Sequence, residues 1–162
     1  MTEAGVVRDP GGQQGLFPEP PRLFSCTPSK LAAYEECPRR YRFIYLDRPT
    51  PPKGPPWAHN SLGASVHTAL RAWFALPPER RTPTVVGSLL RATWVRDGYR
   101  DEEQERQAFD RARQWLLSYV ERLDPTFEPL AVERTVAAKT ATLALSGRVD
   151  RIDEVDGELV IV

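Results

Sequence analysis

Two hydrophobic periods divide the chain. From Thr27 to about Leu123 apolar positions recur every three or four residues, and after Pro129 they alternate one by one. The first period predicts helices and the second predicts strands. Thr27-Pro28-Ser29 opens the first helix, with Thr27 able to cap and proline suited to the first turn. Leu31, Tyr34, Tyr41, Ile44 and Tyr45 give its stripe, which Pro38 interrupts, so two short helices or one kinked helix is expected. Residues 47–58 hold five prolines and read as an extended connector. A second helix is predicted from Ser61 to Leu76, with Leu62, Val66, Ala69, Leu70, Trp73 and Phe74 as its stripe, stopped by Pro77-Pro78. A third spans Thr84 to Val95, with Val86, Leu89, Leu90 and Trp94 inward. A fourth begins at Asp101 with an acidic first turn, and its stripe is Phe109, Ala112, Leu116, Tyr119, Val120 and Leu123, ended by Pro125.

In the alternating part, Leu130, Val132, Arg134 and Val136 share one face of a strand, and Leu143, Leu145, Gly147 and Val149 share one face of the next. Asp156-Gly157 is a two-residue hairpin signal, so position 155 pairs with 158, 153 with 160 and 151 with 162. The run Glu158–Val162 is apolar on both faces, as a central buried strand would be. The position paired with Asp150 would then follow Val162, and the expectation is a fragment or shortened gene product whose missing part extends the sheet. Residues 1–24 are rich in Gly, Pro and Gln and read as a disordered tail, leaving 25–162 as the folded part. The expected fold class is α+β, N-terminal helices followed by an antiparallel strand meander.

Composition adds exclusions. The 162 residues are 41% hydrophobic and 27% charged, enough for one moderate core. Twenty-two basic and 22 acidic residues cancel, so no strong overall field attracts nucleic acid, although a local basic patch is allowed. No run of 18 apolar residues predicts a membrane-spanning helix, and no export signal opens the chain, so a cytoplasmic protein with no membrane partner is expected. Fourteen of the 16 prolines lie at or before Pro83, which fits a loop-rich first half and a regular second half.

Three polar residues then stand out. His67 lies at the edge of the second helix's apolar stripe, with Gly63 one turn earlier removing bulk beside the imidazole. Asp150 alternates with Val149, so it lies on the face away from Leu143 and Leu145; if helices cover both faces, its carboxylate needs a partner or a metal. Glu133, alternating with Val132, follows the same logic. The ordinary readings are a half-buried histidine and a solvated strand face with salt links to Arg148 and Arg151. A zinc set of Cys26, Cys37, His59 and His67 has spacings that match no compact zinc motif.

The segment Ser29-Lys-Leu-Ala-Ala-Tyr34-Glu-Glu-Cys37-Pro38-Arg-Arg-Tyr41-Arg-Phe43 resembles the opening motif of RecB-like nucleases in the PD-(D/E)XK superfamily. Gly63-Ala-Ser-Val-His67 resembles their Gly-x-x-x-His helix, and Gly147-Arg-Val-Asp150-Arg-Ile-Asp153 resembles their metal-binding Asp strand, in the same order. The resemblance covers residues 25–162 and implies the restriction-endonuclease-like core of that superfamily, here incomplete. It implies that His67 and Asp150 help hold Mg²⁺ or Mn²⁺, that Glu133 is a further catalytic acid, and that an Asp/Glu-x-Lys strand follows where this chain ends. It implies hydrolysis of DNA phosphodiesters, exonuclease-like and in repair or recombination, with DNA and possibly a helicase as partners. Arg39, Arg40, Arg42, Arg148 and Arg151 are the candidate phosphate contacts. Some relatives carry a four-iron cluster, for which Cys37 matches the first ligand; with Cys26 the only other cysteine, these 162 residues cannot complete one. Without the Asp/Glu-x-Lys strand the chain itself is expected to be inactive. The competing reading is a non-catalytic module that docks to DNA or to another protein.

Overall fold

The computed structural model describes residues 23–162 apart from 51 and 53. A three-residue strand, β1 (Phe24–Cys26), precedes the helices α1 (Pro28–Glu36), α2 (Pro38–Tyr41), α3 (Ala58–Phe74), α4 (Pro83–Ala92) and α5 (Glu102–Val120). Strands β2 (Ala131–Lys139), β3 (Leu143–Val155) and β4 (Glu158–Ile161) follow. This is the α+β class with a mixed four-stranded sheet. Of the tail expected over residues 1–24, positions 1–22 lie outside the described residues, whereas Phe24 belongs to a strand.

Local chemistry sets the helix ends. The Thr27 hydroxyl accepts the Lys30 amide at 3.3 Å and caps α1. Pro38 cannot donate to the α1 ladder, so α1 stops and α2 starts there, followed by a π-helical turn over Arg42–Leu46. The Asp101 carboxylate accepts the Gln104 amide at 2.8 Å, and Glu102, Glu103 and Glu105 place negative charge in the first turn of α5.

The core lies among α3, α4 and α5. Ala69 and Trp73 meet Val86 and Leu90 of α4 and Ala112, Leu116 and Val120 of α5. Leu62, Val66, Leu70 and Phe74 pack against this cluster only partly buried, while Ser61 and Ser65 are buried outright. The inward line of α3 is therefore 61-65-69-73, rotated from the expected apolar stripe. Small side chains let the neighbouring chain approach, and the Ser65 hydroxyl is satisfied, donating to Ser61 O at 2.8 Å and accepting the Val95 amide at 2.9 Å. The stripe expected on the first helix is also corrected, because α1 and α2 bury no residue and Leu31, Tyr34 and Ile44 stay exposed.

Arg81 ties the helices to the strands. Its side chain is only 3% exposed, and its donors reach Leu76 O, Phe74 O, Pro125 O, Phe127 O and the Glu128 carboxylate. The C-terminal end of α3 is thereby fastened to the segment that leads into β2. A buried guanidinium is tolerable because its whole fork is bonded.

Strand β3 is the centre of the sheet. It pairs antiparallel with β2 from Ala131↔Ile152 to Lys139↔Ala144, parallel with β1 at Phe24↔Leu143, and antiparallel with β4 from Val155↔Glu158 to Ile152↔Ile161. Asp156 and Gly157 have φ of 53° and 81°, the left-handed pair of a two-residue hairpin, and the expected register holds as far as the Arg151–Val162 backbone bonds. The expectation of a buried β4 is corrected: its residues are exposed, since β3 is its only strand neighbour among the described residues.

Candidate metal centre

Three elements bring His67, Glu133 and Asp150 together. His67, Leu70, Arg71 and Phe74 of α3 line one cleft with Val132 and Glu133 of β2 and Asp150 of β3, and the His67 side chain is 49% exposed. On the sheet, the pairs Val132↔Arg151 and Arg134↔Val149 bracket Glu133 and Asp150, which stand opposite each other without forming a ladder pair themselves. The cause is the backbone of Glu133, held at φ 52°, a left-handed conformation that is unfavourable for a residue with a Cβ. Strain of this kind persists only where surrounding contacts fix it.

Those contacts are on the carboxylate. Glu133 Oε1 accepts from His67 Nδ1 at 2.8 Å, and Glu133 Oε2 forms an ion pair with Arg148 Nε at 2.5 Å. The Glu133 side chain is 6% exposed, so both oxygens exchange water for charged or polar donors. His67 Nδ1 is also 3.4 Å from Asp150 Oδ1. An ionised carboxylate only accepts, so the ring nitrogen facing it carries the proton. Arg148 reaches Glu133 because it lies two residues before Asp150 on β3, the diagonal cross-strand neighbour of position 133.

Ligand atoms of His67, Glu133 and Asp150 all lie within 4.8 Å of one another, the one such group of three or more among the described residues. One imidazole and two carboxylates, one of them buried, form a donor set that suits a hard divalent cation such as Mg²⁺ or Mn²⁺. The cleft beside them, about 220 Å³, is lined by Leu70, Arg71, Phe74, Tyr119, Val132, Arg151 and Val162 as well. Cys26, Cys37 and His59 form no such group with His67: Cys26 is buried in β1 and Cys37 is half-buried between α1 and α2.

The other basic candidates are placed differently. Arg151 is 13% exposed, bonded to Asp153 at 2.9 Å and to the Tyr119 hydroxyl at 2.8 Å, and stacked over Phe74. Its fork is spent between sheet and helices. Arg39 lies over Phe43, Arg40 pairs with Glu36 at 2.6 Å and Arg42 with Asp47 at 3.1 Å, all on the exposed α1–α2 surface. Sequence reading missed the Arg81 clasp, whereas the tie from Arg148 to Glu133 is one of the salt links expected of this strand face, since alternation sets Arg148 on the same face as Asp150.

The family model described as the PD-(D/E)XK nuclease superfamily matches residues 25–162. The chain belongs to this superfamily. Members of the PD-(D/E)XK superfamily are generally nucleases that use divalent metal ions on DNA, and the three-residue cluster of this chain has the chemistry such an ion requires. No curated protein matches the sequence. No helix among the described residues is long and apolar enough to cross a membrane.

Proposed function

We propose that this PD-(D/E)XK domain is that of a RecB-like, Mg²⁺- or Mn²⁺-dependent DNA nuclease, in which His67, Glu133 and Asp150 hold the metal. The observation that carries the reading is the convergence of these side chains from α3, β2 and β3 within 4.8 Å. A bound cation would supply an activated water and offset the charge that develops on the phosphate. The chain's own residues do the rest. Asp150, its side chain exposed beside the cleft, would offer the cation a carboxylate oxygen. Glu133, buried and fixed through its strained backbone, holds the inner position. His67 would offer an unprotonated ring nitrogen, since only that form can ligate. Arg39 on the exposed α1–α2 surface, with Arg40 and Arg42 beside it, supplies the candidate phosphate contacts outside the cleft. By the same resemblance, the activity is exonuclease-like, serves repair or recombination, and involves a strand bearing Asp/Glu-x-Lys next to Asp150.

The test separates the site from the chemistry. Mn²⁺ binding is measured by isothermal titration for the wild type, His67→Ala and Asp150→Asn, with circular dichroism to check folding. Each variant is expected to lose roughly ten- to a hundredfold in affinity while keeping its helical spectrum. Unchanged Mn²⁺ affinity in Asp150→Asn refutes the site. Cleavage of linear and single-stranded DNA is then assayed in a protein that carries the Asp/Glu-x-Lys strand, where both substitutions are expected to abolish it.

A further inference from the structure

Glu133 has two partners that differ in what they can do when a cation arrives. His67 can present an unprotonated ring nitrogen and become a ligand. Arg148 cannot, since a guanidinium has no lone pair to offer and stays protonated. Yet Arg148 Nε is ion-paired with Glu133 Oε2 at 2.5 Å, on the oxygen opposite the one that His67 bonds. A cation that takes Glu133 as a ligand therefore meets a carboxylate already paired with a fixed positive charge, which repels it.

The geometry points to Arg148 as the resident counter-ion of the centre, a positioning residue that stands in for the divalent cation on Glu133 and is displaced by it. The inference rests on the metal-site reading above and deepens it. Glu133 is 6% exposed and cannot remain charged there unpaired. Asp150, directly across the ladder, adds a second negative charge. Arg148 keeps the cluster at one net negative charge instead of two, and fixes the carboxylate in its left-handed backbone setting. Its side chain is 60% exposed, so the guanidinium can leave Glu133 for solvent without repacking the interior. Arg151, its near neighbour in sequence, cannot serve this way, because Asp153, Tyr119 and Phe74 hold it. Arg148 thus sets a threshold: it stabilises the empty centre and lowers its apparent affinity for metal.

The experiment uses Mn²⁺ alone, without DNA, titrated against the 162-residue chain and followed by electron paramagnetic resonance of the free ion. Wild type is compared with Arg148→Ala, Arg148→Gln and Arg148→Lys. Removing one partly screened positive charge is expected to tighten Mn²⁺ binding roughly three- to tenfold in Arg148→Ala and Arg148→Gln. Arg148→Lys, which keeps the charge, stays at the wild-type value. Glutamine retains an N–H donor for Glu133, so it covers the case in which alanine does not fold. Thermal melting gives the reciprocal readout: both neutral variants melt below the wild type without Mn²⁺, and the gap narrows when Mn²⁺ saturates. Binding in the wild type with equal or weaker binding in Arg148→Ala and Arg148→Gln overturns the role of Arg148 and leaves the metal site standing. Absence of binding in wild type and neutral variants alike overturns the metal-site reading, and this inference with it.

Discussion

At the scale of single residues, the structure separates positions by what their backbones demand. Gly98 sits at φ 84°, and a Cβ there would come within 2.2 Å of Pro56 O and 2.9 Å of Ala58 N. Gly98→Ala is therefore expected to destabilise the fold by about 2 kcal/mol or more, from left-handed strain and from overlap with backbone that cannot swing away; urea denaturation reads it, and a loss below about 0.5 kcal/mol contradicts it. Glu133 is the other left-handed position that matters, and no sequence rule announces it. The alternation of β2 and β3 made Asp150 and Glu133 legible as carboxylates needing partners, and the helical period put His67 at the border of its stripe. What it could not carry is the interruption of the ladder between Val132↔Arg151 and Arg134↔Val149, because that comes from contacts at the two Glu133 oxygens with residues 15 and 66 positions away.

At the scale of elements, α3, α4 and α5 form the stable unit, and α1 with α2 forms a surface layer. Leu90 is fully buried in the three-helix cluster, whereas Leu31 of α1 is half exposed. Leu90→Ala is expected to cost about 2–5 kcal/mol and Leu31→Ala less than about 1 kcal/mol, both read from denaturant midpoints; equal losses refute the division. The elements themselves were legible wherever a period ran long enough. Helix α5 carries its stripe over nineteen residues, and the Asp156-Gly157 turn gives the β3–β4 register from two residues of chemistry. Strand β1 was not legible, being three residues long and paired with Leu143–Leu145 far along the chain. The inward line of α3 escaped because Ser61 and Ser65 are polar by type; hydrogen bonds to Ser61 O and from the Val95 amide satisfy the buried Ser65 hydroxyl, while the Ser61 hydroxyl is buried without a partner among the described residues.

For the whole molecule, neutral net charge leaves the pH dependence to individual groups. The Gln104 amide and then the Arg100 guanidinium hold the Asp101 carboxyl below its ordinary range; Gln107 and Arg106 do the same for Glu103, and the Thr126 hydroxyl and amide for Asp124. Their folded values are depressed, so their stabilisation is complete above the unfolded values near pH 4 and is lost as pH falls through the folded ones. Burial, and then the charge of Glu105, pushes the Tyr99 phenol up, so its contribution is complete below about pH 10 and is lost as pH rises through the raised value. Melting temperature is expected to form a plateau between these limits and to drop on both sides; a steady fall starting at neutral pH contradicts the assignment. The Arg81 clasp has a larger consequence. It fastens the end of α3 to the approach to β2, the same two elements that meet again through His67 and Glu133. Two fastenings across one seam are thermodynamically linked: whatever ligand tightens one raises the work needed to open the other, by the same amount in each direction. On the metal-site reading proposed above, the affinity of the centre for an ion would be partly stored in carbonyl groups at 74, 76, 125 and 127, which bond Arg81 rather than the site.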